Sequence, residues 1–198
     1  MPTRVYLMRH GEVANGGEKR YNGHIDVDIT LKGIDQMHRL AGLLSGKNIA
    51  AVYCSDLIRS LKGAEIVSQS LGLTYTPLRE LRERSLGAWE GLTAEEIKQR
   101  YPGEYKSWRA DLLNYRPPSG ECLVDVKDRV LPVYREKVAC HPGQEIAMLL
   151  HGGVNRIILA DALGLNLMNL FRIDQSFGAL NIIDYFDDGM AVVTLVNG

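Results

Sequence analysis

The chain has only three cysteines, Cys54, Cys122 and Cys140, an odd number without CxxC or metal-type spacing. That composition suits a reducing, cytoplasmic setting better than a disulfide framework. Net charge is −1, so no overall basic field exists to hold nucleic acid or an anionic membrane. No apolar run approaches the ~20 residues that span a bilayer, and no basic-then-apolar leader precedes the first apolar segment. Histidine is scarce too. His10, His24, His38, His141 and His151 contain no HxxxH or HExxH pair, and nothing asks for a metal. A Walker A loop, a GxGxxG after a strand and a GxSxG elbow are all missing. Any preference for an anionic ligand must therefore be built locally, and the oligomeric state is not legible.

What is present suits one domain. The 198 residues are 45% hydrophobic and 24% charged, ordinary values for a globular chain. Residues 3–8 read as a strand, followed by a polar, glycine-rich loop after Glu12. Thr30 caps a helix that closes at Gly46, residues 49–53 form a second strand, and Cys54-Ser55-Asp56 starts the next helix, ending at Gly72. Residues 73–76 read as a short strand stopped by Pro77. Residues 78–120 break the βαβ rhythm and read as an inserted cap. Within it lie a charged loop to Gly91, a capping box at Thr93–Glu96 and a helix opened by Pro102. A long helix over about 121–140, a strand at 145–150 and a helix at 152–163 follow. A short helix at 167–171 precedes a hairpin about Asp187-Asp188-Gly189. The expectation is a three-layer α/β/α sandwich with a largely parallel sheet and an antiparallel edge.

Two apolar strands end in His-Gly. Val5-Tyr6-Leu7-Met8 runs into Arg9-His10-Gly11, and Ala147-Met148-Leu149-Leu150 runs into His151-Gly152-Gly153. Ligands in open α/β sheets bind at that end of the strands. A lone strand-end histidine is ordinarily structural; a second one shifts the balance toward chemistry. The Arg9 charge favours a neutral, nucleophilic imidazole, and its fork of donors matches a phosphate. Gly152-Gly153 allow close backbone approach and open a helix whose N–H groups favour an anion. Arg59 lies one turn beyond the second strand, where a usually solvated arginine can reach the same mouth. Glu83 sits in the loop rich in glycine and tryptophan; enclosed near histidines, a glutamate can donate a proton. Asp56, Glu12 and Glu121 read as orienting or capping groups. Arg84, Trp108, Arg109 and Tyr115 read first as packing or solvent-facing, with pocket lining as the alternative.

These motifs together resemble the histidine phosphatase superfamily, the phosphoglycerate mutase-like proteins. The matching residues are Arg9-His10-Gly11-Glu12, Arg20 to Gly23 with Asp26, Leu31-Lys32-Gly33 and Ser55 to Arg59. Glu83 with Gly87-Ala88-Trp89-Glu90-Gly91, Pro118 to Glu121 and His151-Gly152-Gly153 complete the set. The resemblance implies that His10 attacks phosphorus and becomes a phosphohistidine. It further implies that Arg9, Arg59 and His151 bind the phosphoryl group, and that Glu83 protonates the leaving oxygen and then activates water. Asn15, Asn22, Gly23 and Gly152 become substrate-binding candidates, and neither metal nor organic cofactor is implied. Two departures stand out. Gly16 occupies the usual asparagine position, with Asn15 one residue early. Cys122 replaces the usual serine after Gly-Glu and reads as a helix-start residue. The short cap looks like the phosphatase branch, and the ending Gln175 to Asn181 looks similar to its α-ribazole phosphatases. The alternatives are a cofactor-dependent phosphoglycerate mutase and a non-catalytic phosphate-binding module on the same fold.

Overall fold

A computed structural model describes all residues, 1–198. Six strands form one sheet: β1 (Thr3–Arg9), β2 (Ile49–Ser55), β3 (Tyr75–Leu78), β4 (Glu145–Leu150), β5 (Leu180–Tyr185) and β6 (Ala191–Leu195). The spatial order is β3-β2-β4-β1-β5-β6. β1 to β4 run parallel, while β5 lies antiparallel to β1 and β6 antiparallel to β5. The central strands β1 and β4 are apolar at consecutive positions because both faces are covered. Val5, Leu7, Ile146, Met148 and Leu150 pack beneath α5 (Leu123–Ala139) and α6 (Gly152–Ala162). Tyr6, Met8, Ala147 and Leu149 face α1 (Leu31–Leu44) and α2 (Ile58–Leu71). The result is the expected mixed three-layer sandwich.

Two boundaries differ from the sequence expectation. The polar Cys54-Ser55-Asp56 does not start α2: β2 continues through Ser55, and the helix begins at Ile58 behind Leu57. Arg82 holds the Asp56 carboxylate with two hydrogen bonds of 2.6 and 2.7 Å, so its charge is satisfied by a neighbouring loop. Pro77 does not stop β3 but lies inside it. β3 is an edge strand paired only with β2, so a residue without an N–H costs the ladder little there.

Between β3 and α5 the chain leaves the sheet. α3 (Ala94–Arg100) starts at the Thr93–Glu96 capping box, and α4 (Pro102–Ala110) starts with proline at its first turn. Leu86, Trp89 and Ile97 form a small separate core with Tyr21, Trp108 and Tyr115 against it. The Ala88 N–H donates to Pro118 O and the Glu121 N–H to Ser85 O, lacing the two ends of the excursion together. Gly87 (φ 54°) makes this lacing possible, because a Cβ there would overlap the Pro118 carbonyl.

Candidate active site

The strand register builds the site. Arg9 in β1 lies opposite Leu150 in β4, so the next residues, His10 and His151, leave adjacent parallel strands side by side. Their ring centroids are 5.2 Å apart at 63°. The Nδ1–H of His10 donates to its neighbour Gly11 O at 2.8 Å, which leaves Nε2 as the bare lone pair. His151 is wholly buried, and neither ring nitrogen has a partner within the protein. Burial first, then the Arg9 and Arg59 charges, hold both imidazoles well below the ordinary histidine value. Both are neutral near pH 7.

Arg9 and Arg59 flank the pair. Arg9 donates through Nη1 to Gln175 O, while its buried Nε has no partner. Burial lowers its pKa to about 10, which still leaves it charged at neutral pH. Arg59, only 2% exposed, donates to Ile25 O at 2.8 Å and to Gly23 O at 2.7 Å. Glu83 accepts the Arg84 N–H and, through Oε2, the Gly153 N–H, each at 2.9 Å. That second bond places a carboxylate at the positive end of α6. Gly153 permits it, since a Cβ there would collide with Glu83. His24 bonds through Nε2 to Glu83 O at 2.8 Å, bracing the loop from the other side.

The five candidate groups His10, His151, Arg9, Arg59 and Glu83 thus meet, and all but His151 line a cavity of about 850 Å3, which Gly152 and Gly153 complete. Asn22 and Gly23 face it as well. Asn15 does not; its amide is paired with Asn22 in two reciprocal hydrogen bonds of 2.6 and 2.9 Å. Arg84, Trp108 and Arg109 line the cavity, whereas Tyr115 stacks on Trp89. Cys122 is the N-cap of α5, its Sγ accepting the Asp125 N–H. Its capping geometry takes it out of the reacting group.

Sequence reasoning missed Arg156, Met168, Phe171 and Phe177, which also line the cavity. Arg156 follows Gly152, the first residue of α6, by four residues, and that same-face helical spacing was a usable signal. Phe171 lies in the short 3-10 helix Leu167–Arg172 and Phe177 in the irregular segment before β5, both too short for a periodicity to mark a facing. Seven cationic residues line the cavity against one carboxylate, Glu83, although the whole chain carries −1. No group of three or more His, Cys, Asp or Glu side chains is arranged to hold a metal ion, and no helix is long and apolar enough to cross a membrane.

A mixed sheet with two strand-end imidazoles amid arginines defines the class, and the sequence places it. The chain belongs to the histidine phosphatase superfamily (branch 1), whose model matches residues 5–198. A bifunctional protein of Mycobacterium tuberculosis is 32% identical over 99% of this chain; the chain spans about half of that relative, 54% of its length. A glucosyl-3-phosphoglycerate phosphatase of Mycolicibacterium vanbaalenii is 31% identical over 84% of this chain and 76% of its own. Among solved structures, the α-ribazole phosphatase of Shigella flexneri superposes with a TM-score of 0.91 at 27% identity, covering 99% of this chain and 96% of that one.

Proposed function

We propose that the protein is a phosphomonoester hydrolase working through a phosphohistidine on His10. The observation that carries this reading is the tautomer. With Nδ1–H committed to Gly11 O, the Nε2 lone pair of a neutral, buried imidazole is free beside His151 and the unpartnered Nε of Arg9. In the first step Nε2 attacks phosphorus, the ester P–O bond breaks, and Glu83, acting as general acid, delivers a proton to the leaving oxygen. Arg9, Arg59 and the His151 imidazole stabilise the charge on the equatorial oxygens, which is the main demand of phosphoryl transfer. In the second step water attacks phosphorus, Glu83 takes its proton, and the N–P bond breaks to release phosphate. Residues 78–120 act as the cap, with Asn22, Gly23 and Gly152 contacting substrate and Asn15 holding Asn22.

The favoured substrate is α-ribazole 5′-phosphate. Leu112, Met168, Phe171 and the ring of Trp108 give the cavity apolar walls above a cationic floor, suited to a flat aromatic base carried on a phosphoribosyl group. Glucosyl-3-phosphoglycerate is the second reading, supported by Lys19 and Arg109 at the cavity lining, exposed cations without an ion-pair partner that suit a carboxylate. The decisive experiment is rapid quench with 32P-labelled phosphomonoester. Acid-labile, alkali-stable label should accumulate on His10, and turnover should fall at least ~1,000-fold in His10→Ala. Absence of label with turnover intact in that variant would refute the mechanism. Turnover that depends on 2,3-bisphosphoglycerate would mark a mutase instead.

A further inference from the structure

The sequence assigns no site role to any residue of the loop before β5, yet this loop touches both the nucleophile and its arginine. The Phe177 ring lies under the Arg9 guanidinium, with Cζ 3.9 Å from the ring centroid. The same ring is 5.6 Å from the His10 ring, tilted by 48°. Two residues earlier, Gln175 O accepts the Arg9 Nη1–H. A planar guanidinium held by one in-plane bond can still swing about that bond. An aromatic face packed on it removes the swing. The edge left over carries Nε, buried and without a partner.

The loop itself is fixed. The Gln175 side chain accepts from Asn155 in α6 at 3.1 Å and donates to Asn181 in β5 at 2.7 Å. Asn181 in turn donates to Leu7 O in β1, two residues before Arg9, at 3.0 Å. The Gly178 N–H donates to His10 O at 3.1 Å. Strands β1 and β5 and helix α6 therefore all hold Phe177 in place, although it lies outside any regular element.

Building on the hydrolase reading above, we infer that Phe177 is a positioning residue for phosphoryl binding: its π-face orients the Arg9 guanidinium so that the unpartnered Nε edge meets the phosphoryl oxygens. The attraction is between cation and ring quadrupole, so it depends on the electron density of the ring as well as on its volume.

The test measures binding of inorganic vanadate to the full chain by calorimetry. Phe177→Leu keeps most of the volume and loses the face; its vanadate Kd should rise roughly 2- to 30-fold, and the KM for p-nitrophenyl phosphate should rise with it. Phe177→Tyr should restore wild-type binding. Replacing Phe177 by mono-, di- and trifluorophenylalanine keeps the shape and withdraws ring electrons, so Kd should climb stepwise with fluorination. That series remains decisive if Phe177→Leu does not fold. Equal vanadate affinity in wild type and Phe177→Leu, or a flat fluorination series, would overturn the inference while leaving the hydrolase reading intact. Failure of the wild-type protein to bind vanadate would overturn both.

Discussion

The two imidazoles that face each other at 5.2 Å should govern how this protein responds to acid. In the unfolded chain each takes up a proton near pH 6.5, whereas in the folded protein burial and the Arg9 and Arg59 charges keep each neutral well below that. The unfolded state therefore binds more protons as pH falls, and stability falls with it. The loss begins near the unfolded value and amounts to about 1.4 kcal/mol per pH unit for each imidazole, until the folded values are reached. Urea unfolding at a series of pH values from about 7 to about 5 should show this slope. His10→Gln should remove one imidazole's share of it, and an unchanged slope would show that His10 is not held neutral. Activity has the opposite sensitivity. Because His10 stays unprotonated, the acid limb of kcat/KM set by this residue should lie below the ordinary histidine range rather than at it.

At the scale of elements, helix starts show how local rules and tertiary demands divide. Thr93-Ala94-Glu95-Glu96 obeys the capping-box rule and does start α3. Cys122 occupies the same position for α5, its Sγ 3.4 Å from the Asp125 N while Asp125 returns a bond to the Cys122 N–H. Sulfur is the weaker acceptor, so Cys122→Ser should retain the cap and cost less than ~0.5 kcal/mol, whereas Cys122→Ala should cost ~1 kcal/mol in urea unfolding. Both variants should keep full turnover, since the thiol reacts with nothing. The boundaries at Asp56 and Pro77 were not legible for a shared reason. Asp56 is satisfied by Arg82 from 26 residues away, and Pro77 is tolerated because its strand has one neighbour; both facts belong to the assembled sheet. The strand-end histidines were legible because the apolar run, its abrupt stop at histidine and the glycine that follows are all local. Phe177 was not, because its partner Arg9 is far along the chain and no period leads to it.

At the scale of the molecule, the sequence implies a parallel sheet but cannot order it. β4 enters between β1 and β2, although more than 130 residues separate it from β1, and only this insertion puts His151 beside His10. Over that sheet edge, the excursion between β3 and α5 and the turn at Leu167–Arg172 build the upper walls of the cavity. Phe171 and Met168, from that turn, are 55% and 50% exposed, so both leave apolar area in water at the cavity wall. A ligand that covers Phe171 regains part of that apolar area at about 25 cal/mol per Å2. Phe171→Ala should therefore leave the urea midpoint nearly unchanged, because the residue contributes little to the core. On the proposed reading it should raise the KM for α-ribazole 5′-phosphate roughly 5- to 30-fold, and that for the smaller p-nitrophenyl phosphate by less than ~2-fold. Steady-state kinetics on the two substrates separates the outcomes. An equal effect on both would place Phe171 in the phosphoryl site, and no effect on either would remove the apolar wall as the basis for choosing an aromatic phosphomonoester over a sugar one.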